Sequence, residues 1–111
     1  MNHIVAKKVY KETEKLSLFA QEQASKEMDN IEHAKDFCEL TALSDVIPME
    51  GTDEPYYRLK FGNYRYLLYY DIENETLRVL SLTHRKDTYK KFIFHGEDEF
   101  LQAGVIFHVV Q

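Results

Sequence analysis

Between Tyr56 and Thr83 the chain carries three runs rich in tyrosine, leucine and valine, at residues 56–61, 64–72 and 76–83. Two short groups of turn-forming residues, Gly62-Asn63 and Glu73-Asn74-Glu75, separate them. Runs of β-branched and aromatic residues bounded by such punctuation fold as a meander of three antiparallel strands. Gly-Asn suits a two-residue hairpin turn, because glycine supplies the positive φ that a primed turn requires. That turn fixes a register: Phe61 faces Tyr64, Lys60 lies opposite Arg65, and Arg58 shares their side of the sheet because strand side chains alternate. The second turn leaves two choices. Asn74-Glu75 places His84 opposite Arg65, whereas Glu73-Asn74 keeps the same facing and slides the pairing by two residues.

Upstream, His3-Ile4-Val5-Ala6-Lys7 reads as a short strand. Val9, Leu16, Phe19 and Ala20 then take up helical spacing, predicting a first helix over residues 9–23. Met28, Ile31, Ala34, Phe37, Cys38 and Leu40 recur at three- and four-residue steps, which predicts a second helix started by Asp29 or Asn30, with Cys38 as a small core residue. Residues 45–55 hold Pro48, Gly51, Pro55 and four acids, and read as an acidic loop. Beyond Thr83 the polar stretch His84-Arg85-Lys86-Asp87-Thr88-Tyr89-Lys90-Lys91 leaves the sheet, and residues 105–110 form a further apolar run suited to an edge strand. The expected architecture is α+β, with an N-terminal strand and two helices packed on an antiparallel meander over residues 1–91, followed by a C-terminal extension over 92–111.

At 111 residues this is one domain, long enough to close its own core. A single cysteine excludes an internal disulfide, and with no export signal or membrane-spanning apolar stretch the expected location is the cytoplasm. The net charge of -5 is unevenly spread. Residues 1–55 hold 6 basic and 12 acidic side chains, residues 56–95 hold 8 and 4, and three more acids follow. A basic segment inside an acidic protein still meets phosphate, with weaker long-range steering.

Arg58, Lys60 and Arg65 on one patch carry a penalty of roughly 0.2–1 kcal/mol for facing like charges. The patch makes sense if it meets a polyanion. RNA is cut without metal because its 2′-hydroxyl is an internal nucleophile, so a protein need only align it, move protons and stabilise the crowded phosphorane. Guanidinium suits the last task, tyrosine stacks on bases, and His84 is the member of the cluster suited to proton transfer near neutrality. The ordinary alternative for each cation alone is a solvated sheet face. Arg78 reads as a structural partner of Asp71 or Glu73, the tyrosines at 64, 66, 69 and 70 as packing, and His3, His33, His95 and His108 as scattered residues without metal-ligand spacing.

Taken together, residues 57–65 (Tyr-Arg-Leu-Lys-Phe-Gly-Asn-Tyr-Arg), the following hairpin and residues 84–89 (His-Arg-Lys-Asp-Thr-Tyr) resemble the RelE branch of the RelE/ParE toxin superfamily. The resemblance implies the toxin of a toxin–antitoxin pair: a cytoplasmic, metal- and cofactor-independent endoribonuclease that cleaves mRNA on the ribosome and is restrained by a cognate antitoxin. It implies catalytic roles for Arg65, Arg85, His84 and Tyr89 and phosphate contacts from Arg58, Lys60 and Lys86. The ParE branch implies the alternative of a DNA gyrase inhibitor, and an inactive interaction module of the same fold is a third reading. Two departures stand out: relatives are usually basic overall and often end some twenty residues earlier.

Overall fold

The computed structural model describes residues 1–51 and 54–86, together with the backbone of Val109–Val110. Three strands form the expected meander: β3 (Tyr56–Phe61), β4 (Tyr64–Asp71) and β5 (Thr76–His84). Gly62 takes φ +56° while no positive φ occurs at Asn63, the pattern of a type II′ turn. The predicted first register holds, with Lys60 paired to Arg65 and Phe61 to Tyr64.

From the Asp71–Thr76 pair to the Leu68–Val79 pair, the second register is that of the Glu73-Asn74 choice. Asp71 pairs with Thr76 across a four-residue turn, in which the Asn74 backbone N–H donates to Asp71 Oδ1 at 3.2 Å and the Asn74 side-chain amide to Oδ2 at 2.8 Å. Glu75 closes the turn at φ 47°. A bulge then intervenes: Leu68 pairs with Val79, but its neighbour Leu67 pairs with Ser81, leaving Leu80 as the extra residue. Beyond the bulge Arg65 faces Thr83, and His84 faces Tyr64. His84 is therefore not opposite Arg65, and alternation puts it on the other face of the sheet.

Two further corrections concern the sheet's margins. Residues 45–48, read as part of an acidic loop, form β2 (Asp45–Pro48), antiparallel to β3 with Val46 opposite Leu59 and Ile47 opposite Arg58. The apolar pair Val46-Ile47 supplies a strand that four nearby acids masked. The N-terminal strand β1 (Asn2–Ala6) joins the sheet itself, parallel to β5 with Asn2 opposite Thr76 and Val5 opposite Val79. A short β6 (Val109–Val110) pairs antiparallel with β1, giving a mixed sheet in the order β2-β3-β4-β5-β1-β6.

Among the described residues three helices, not two, cover one face: α1 (Lys7–Glu14), α2 (Leu18–His33) and α3 (Phe37–Leu43). The predicted first helix breaks where Ser17 starts α2, its Oγ accepting the Ala20 backbone N–H at 3.2 Å. The predicted second helix is divided in turn. Asp29 and Asn30 lie inside α2, and Asp36 starts α3 by accepting the Glu39 N–H at 2.8 Å while Glu39 Oε1 accepts the Lys35 N–H at 3.2 Å. Asn30 donates to Ser44 Oγ at 3.0 Å and so ties α2 to the end of α3. Cys38 is exposed instead of buried, because Leu40 takes the inward position on this short helix.

Ala20, Ala24 and Ile31 are the buried positions of α2, and the two alanines are small enough to let the helix lie close to the sheet. Val5, Val9, Ile31, Leu40, Leu59, Leu68, Leu77 and Val79 form the centre of the core. Full burial of each large side chain stabilises by roughly 1.5–3 kcal/mol before entropy is counted. Phe37 of α3 stacks on Tyr70 at 4.4 Å and tilts against Tyr57 at 4.7 Å. A second buried cluster, Met49, Tyr56, Leu67 and Leu80, belongs to the opposite face.

Candidate functional site

The strand register arranges the cations in rows on the face away from the helices. One row runs Asp45, Lys60, Arg65, Thr83 across β2 to β5, and the next runs Ile47, Arg58, Leu67, Ser81. Arg58, Lys60 and Arg65 therefore share a face, as the first hairpin register required. Their environments differ. Lys60 is exposed and Arg58 half-buried, whereas Arg65 is only 7 % exposed. Arg65 Nη1 donates to the carbonyl oxygens of Gly62 at 3.1 Å and Tyr64 at 2.8 Å, which turns the guanidinium toward the hairpin tip.

Sequence reasoning missed Asp45, the acid facing Lys60 from β2, because residues 45–48 did not read as a strand. It also missed the part played by the Gly62-Asn63 turn in holding the next segment: the Arg85 backbone N–H donates to the Asn63 carbonyl at 2.7 Å. That bond carries the chain leaving β5 back to the tip of the first hairpin, where Arg85 and Lys86 are exposed. The Lys86 N–H donates to His84 Nδ1 at 3.3 Å, so the proton of the neutral ring sits on Nε2. The same ring lies edge-on to Tyr64 at 5.6 Å, and Tyr64 stacks on Phe61 at 6.1 Å.

One end of the sheet thus gathers Lys60, Arg65, His84, Arg85 and Lys86 around the hairpin tip, with Arg58 one alternation further in along β3. His84 approaches this end from the helix-covered side and Arg65 from the opposite side. Tyr89 lies outside the described residues. The assembled groups offer anion binding at several points, a ring nitrogen for proton transfer and an aromatic surface at Tyr64. Among the described residues no group of three or more His, Cys, Asp or Glu is placed to hold a metal ion, and no helix is long and apolar enough to cross a membrane.

Arg78 stands elsewhere on the sheet, opposite Tyr69. The Asp71 carboxyl is held below the usual carboxylate range first by the Asn74 side-chain and backbone donors and then by the nearby Arg78 charge. On the helix side, Val9, Tyr10, Thr13, Ala24, Met28 and Tyr66 line much of an open groove of about 390 Å³ between α1 and α2. Burial pushes the Tyr66 hydroxyl up to about 12, against the lowering effect of its hydrogen bond with Thr13.

Comparison with solved structures shows a shared fold. A chain of the RelB–RelE antitoxin–toxin complex from Methanococcus jannaschii superposes with a TM-score of 0.62 at 20 % identity, over 80 % of this chain and 98 % of the other. A chain of the archaeal RelE–RelB complex from Pyrococcus horikoshii OT3 superposes with a TM-score of 0.60 at 24 % identity, over 76 % and 93 % respectively. No family model and no curated protein matches the sequence. The α+β arrangement of three helices on a mixed sheet is RelE-like.

Proposed function

We propose, with a RelE-like fold as the premise, that this protein is the toxin of a toxin–antitoxin pair and a metal-independent endoribonuclease acting on mRNA at the ribosome. The observation that carries the reading is the gathering of Lys60, Arg65, His84, Arg85 and Lys86 at one hairpin tip. The two similar structures are complexes of a toxin with its antitoxin, which supports a cognate antitoxin as partner.

In this mechanism the 2′-hydroxyl of the RNA attacks the adjacent phosphorus, and the 5′-oxygen of the next nucleotide leaves to give a cyclic phosphate. Arg85, exposed and held by the Asn63 carbonyl, binds the phosphoryl oxygens in the transition state. Lys60, Lys86 and Arg58 grip the flanking backbone as point charges or forks. Arg65, anchored in the turn, adds positive potential at the tip. His84, protonated at Nε2 when neutral, serves proton transfer, and Tyr89 stacks on or orients the RNA. Removing one transition-state donor of this kind lowers the rate by about 10²–10³.

One observation favours the alternative of an interaction module that does not cleave. Arg65 is 7 % exposed with Nη1 committed to two carbonyls, an arrangement that serves the turn whether or not RNA is bound. Induced expression of wild type, Arg65→Ala and Arg85→Ala in a bacterial host, with growth followed and new 5′ ends mapped on translated messages, separates the two readings. Growth arrest with fresh cuts inside codons, lost in Arg85→Ala, supports the ribonuclease. Arrest without cuts points to another target such as gyrase, and absence of arrest from a folded wild type points to the binding module.

A further inference from the structure

The groove between α1 and α2 lies on the helical side, across the sheet from Lys60 and Arg65, and has a chemistry of its own. Its floor is apolar, formed by Val9, Ala24, Met28 and Tyr66, while its charged rim is wholly acidic: Glu14, Asp29 and Glu32. Those three residues are exposed, and their carboxylates form no ion pair among the described residues. No basic side chain lines the groove.

Helical spacing extends the surface. Leu18, Gln21, Ser25, Met28 and Glu32 follow one another at steps of three and four along α2, so they form a single stripe bordering the groove. Leu18 is 78 % exposed at the start of that stripe, and Tyr10 of α1 is 48 % exposed beside the groove. Leu18, Met28 and Tyr10 thus offer apolar contact points along this surface, with polar side chains between them and acids at the margin.

We propose that this groove docks a basic amphipathic helix from a partner protein, with apolar side chains seated on Leu18, Met28 and Tyr10 and lysine or arginine side chains meeting Glu14, Asp29 and Glu32. Charge complementarity selects the occupant, since an acidic helix would bring like charges together along the whole rim. The site is separate from the cationic hairpin tip, and the inference stands whether or not the protein cuts RNA. A basic partner here would also bind without occupying the phosphate-facing residues.

The test uses two synthetic helices of about five turns with the same leucine stripe, one flanked by lysine and arginine and the other by glutamate. Each is titrated into the full-length isotope-labelled protein and followed by amide shifts. The basic helix is expected to shift amides of residues 9–14 and 18–32, and the acidic helix to leave them unmoved. Asp29→Lys with Glu32→Lys should weaken binding at least ten-fold, and Ser25→Arg should block the groove. These positions are exposed, and circular dichroism checks that both variants keep the wild-type fold. Arg85→Ala is expected to leave binding unchanged. Equal binding of both helices, shifts confined to the sheet, or no binding at all would overturn the proposal. So would self-association of the protein that Ser25→Arg abolishes, which would assign the groove to a second copy.

Discussion

Under the proposed function Arg65 has two tasks, a charge facing phosphate and a brace inside the turn, and the structure shows the second. Its two carbonyl contacts and low exposure make the brace the larger contribution to stability. Arg65→Met is therefore expected to lower unfolding stability by about 1–3 kcal/mol, measured by urea denaturation. Arg85→Ala, at an exposed position, should change it by less than about 0.5 kcal/mol while reducing cleavage about 10²–10³-fold. The identity of these cations and the face shared by Arg58, Lys60 and Arg65 were legible in the sequence. Burial was not, since alternation tells which side a residue occupies and says nothing of what packs above it. Tyr66 gives a prediction with a definite sign. Its folded pKa is raised from 10.0 to about 12, so the folded state holds a proton that the unfolded chain releases earlier. Its contribution is fully present below pH 10 and is lost as pH rises toward 12. Denaturation midpoints of wild type and Tyr66→Phe across this window should converge as pH rises, and parallel curves would refute the assignment.

At the level of elements, a turn was readable wherever backbone conformation demanded a particular residue. Gly62 is such a case, and Gly62→Ala, which forces a Cβ into the left-handed region, is expected to cost about 1–2 kcal/mol. Gln23 Oε1 would lie 3.0 Å from the new Cβ, but it is the end of a flexible side chain and can move aside. Glu75 holds the same region of φ without that excuse. Glu75→Asn should stabilise by a few tenths to about 1 kcal/mol, since asparagine tolerates left-handed backbone better. Equal melting temperatures for the two proteins would argue against strain there. The bulge at Leu80 escaped notice because Val79-Leu80 reads as an unbroken apolar pair, and both faces of the sheet accept apolar residues at that point. The division between α1 and α2 escaped for a similar reason: Leu16, Phe19 and Ala20 keep helical spacing across a break set by the cap at Ser17. Replacing that cap in Ser17→Ala should cost about 0.5–2 kcal/mol, read from thermal unfolding.

Across the whole molecule, charge is sorted along the chain. Residues 1–55 carry 12 of the 19 acids, while the hairpin tip carries cations, so the net charge of -5 is a poor guide to what any one surface meets. If the tip binds RNA, the affinity should fall steeply with salt, and Lys60→Ala should reduce the slope of log K against log salt by about 1. An unchanged slope would remove Lys60 from the interface. The parallel pairing of β1 with β5 brings a different consequence, one of time. Asn2 must meet Thr76 before the sheet closes, so this contact spans most of the described chain and folding carries the entropy of a long loop. During synthesis β1 emerges early yet finds its partner only after the meander is complete, and the hairpin tip takes shape in the same late step. A nascent chain therefore has no finished cationic site until Lys86 has left the ribosome, and a partner that binds growing chains would reach the helices before the site existed.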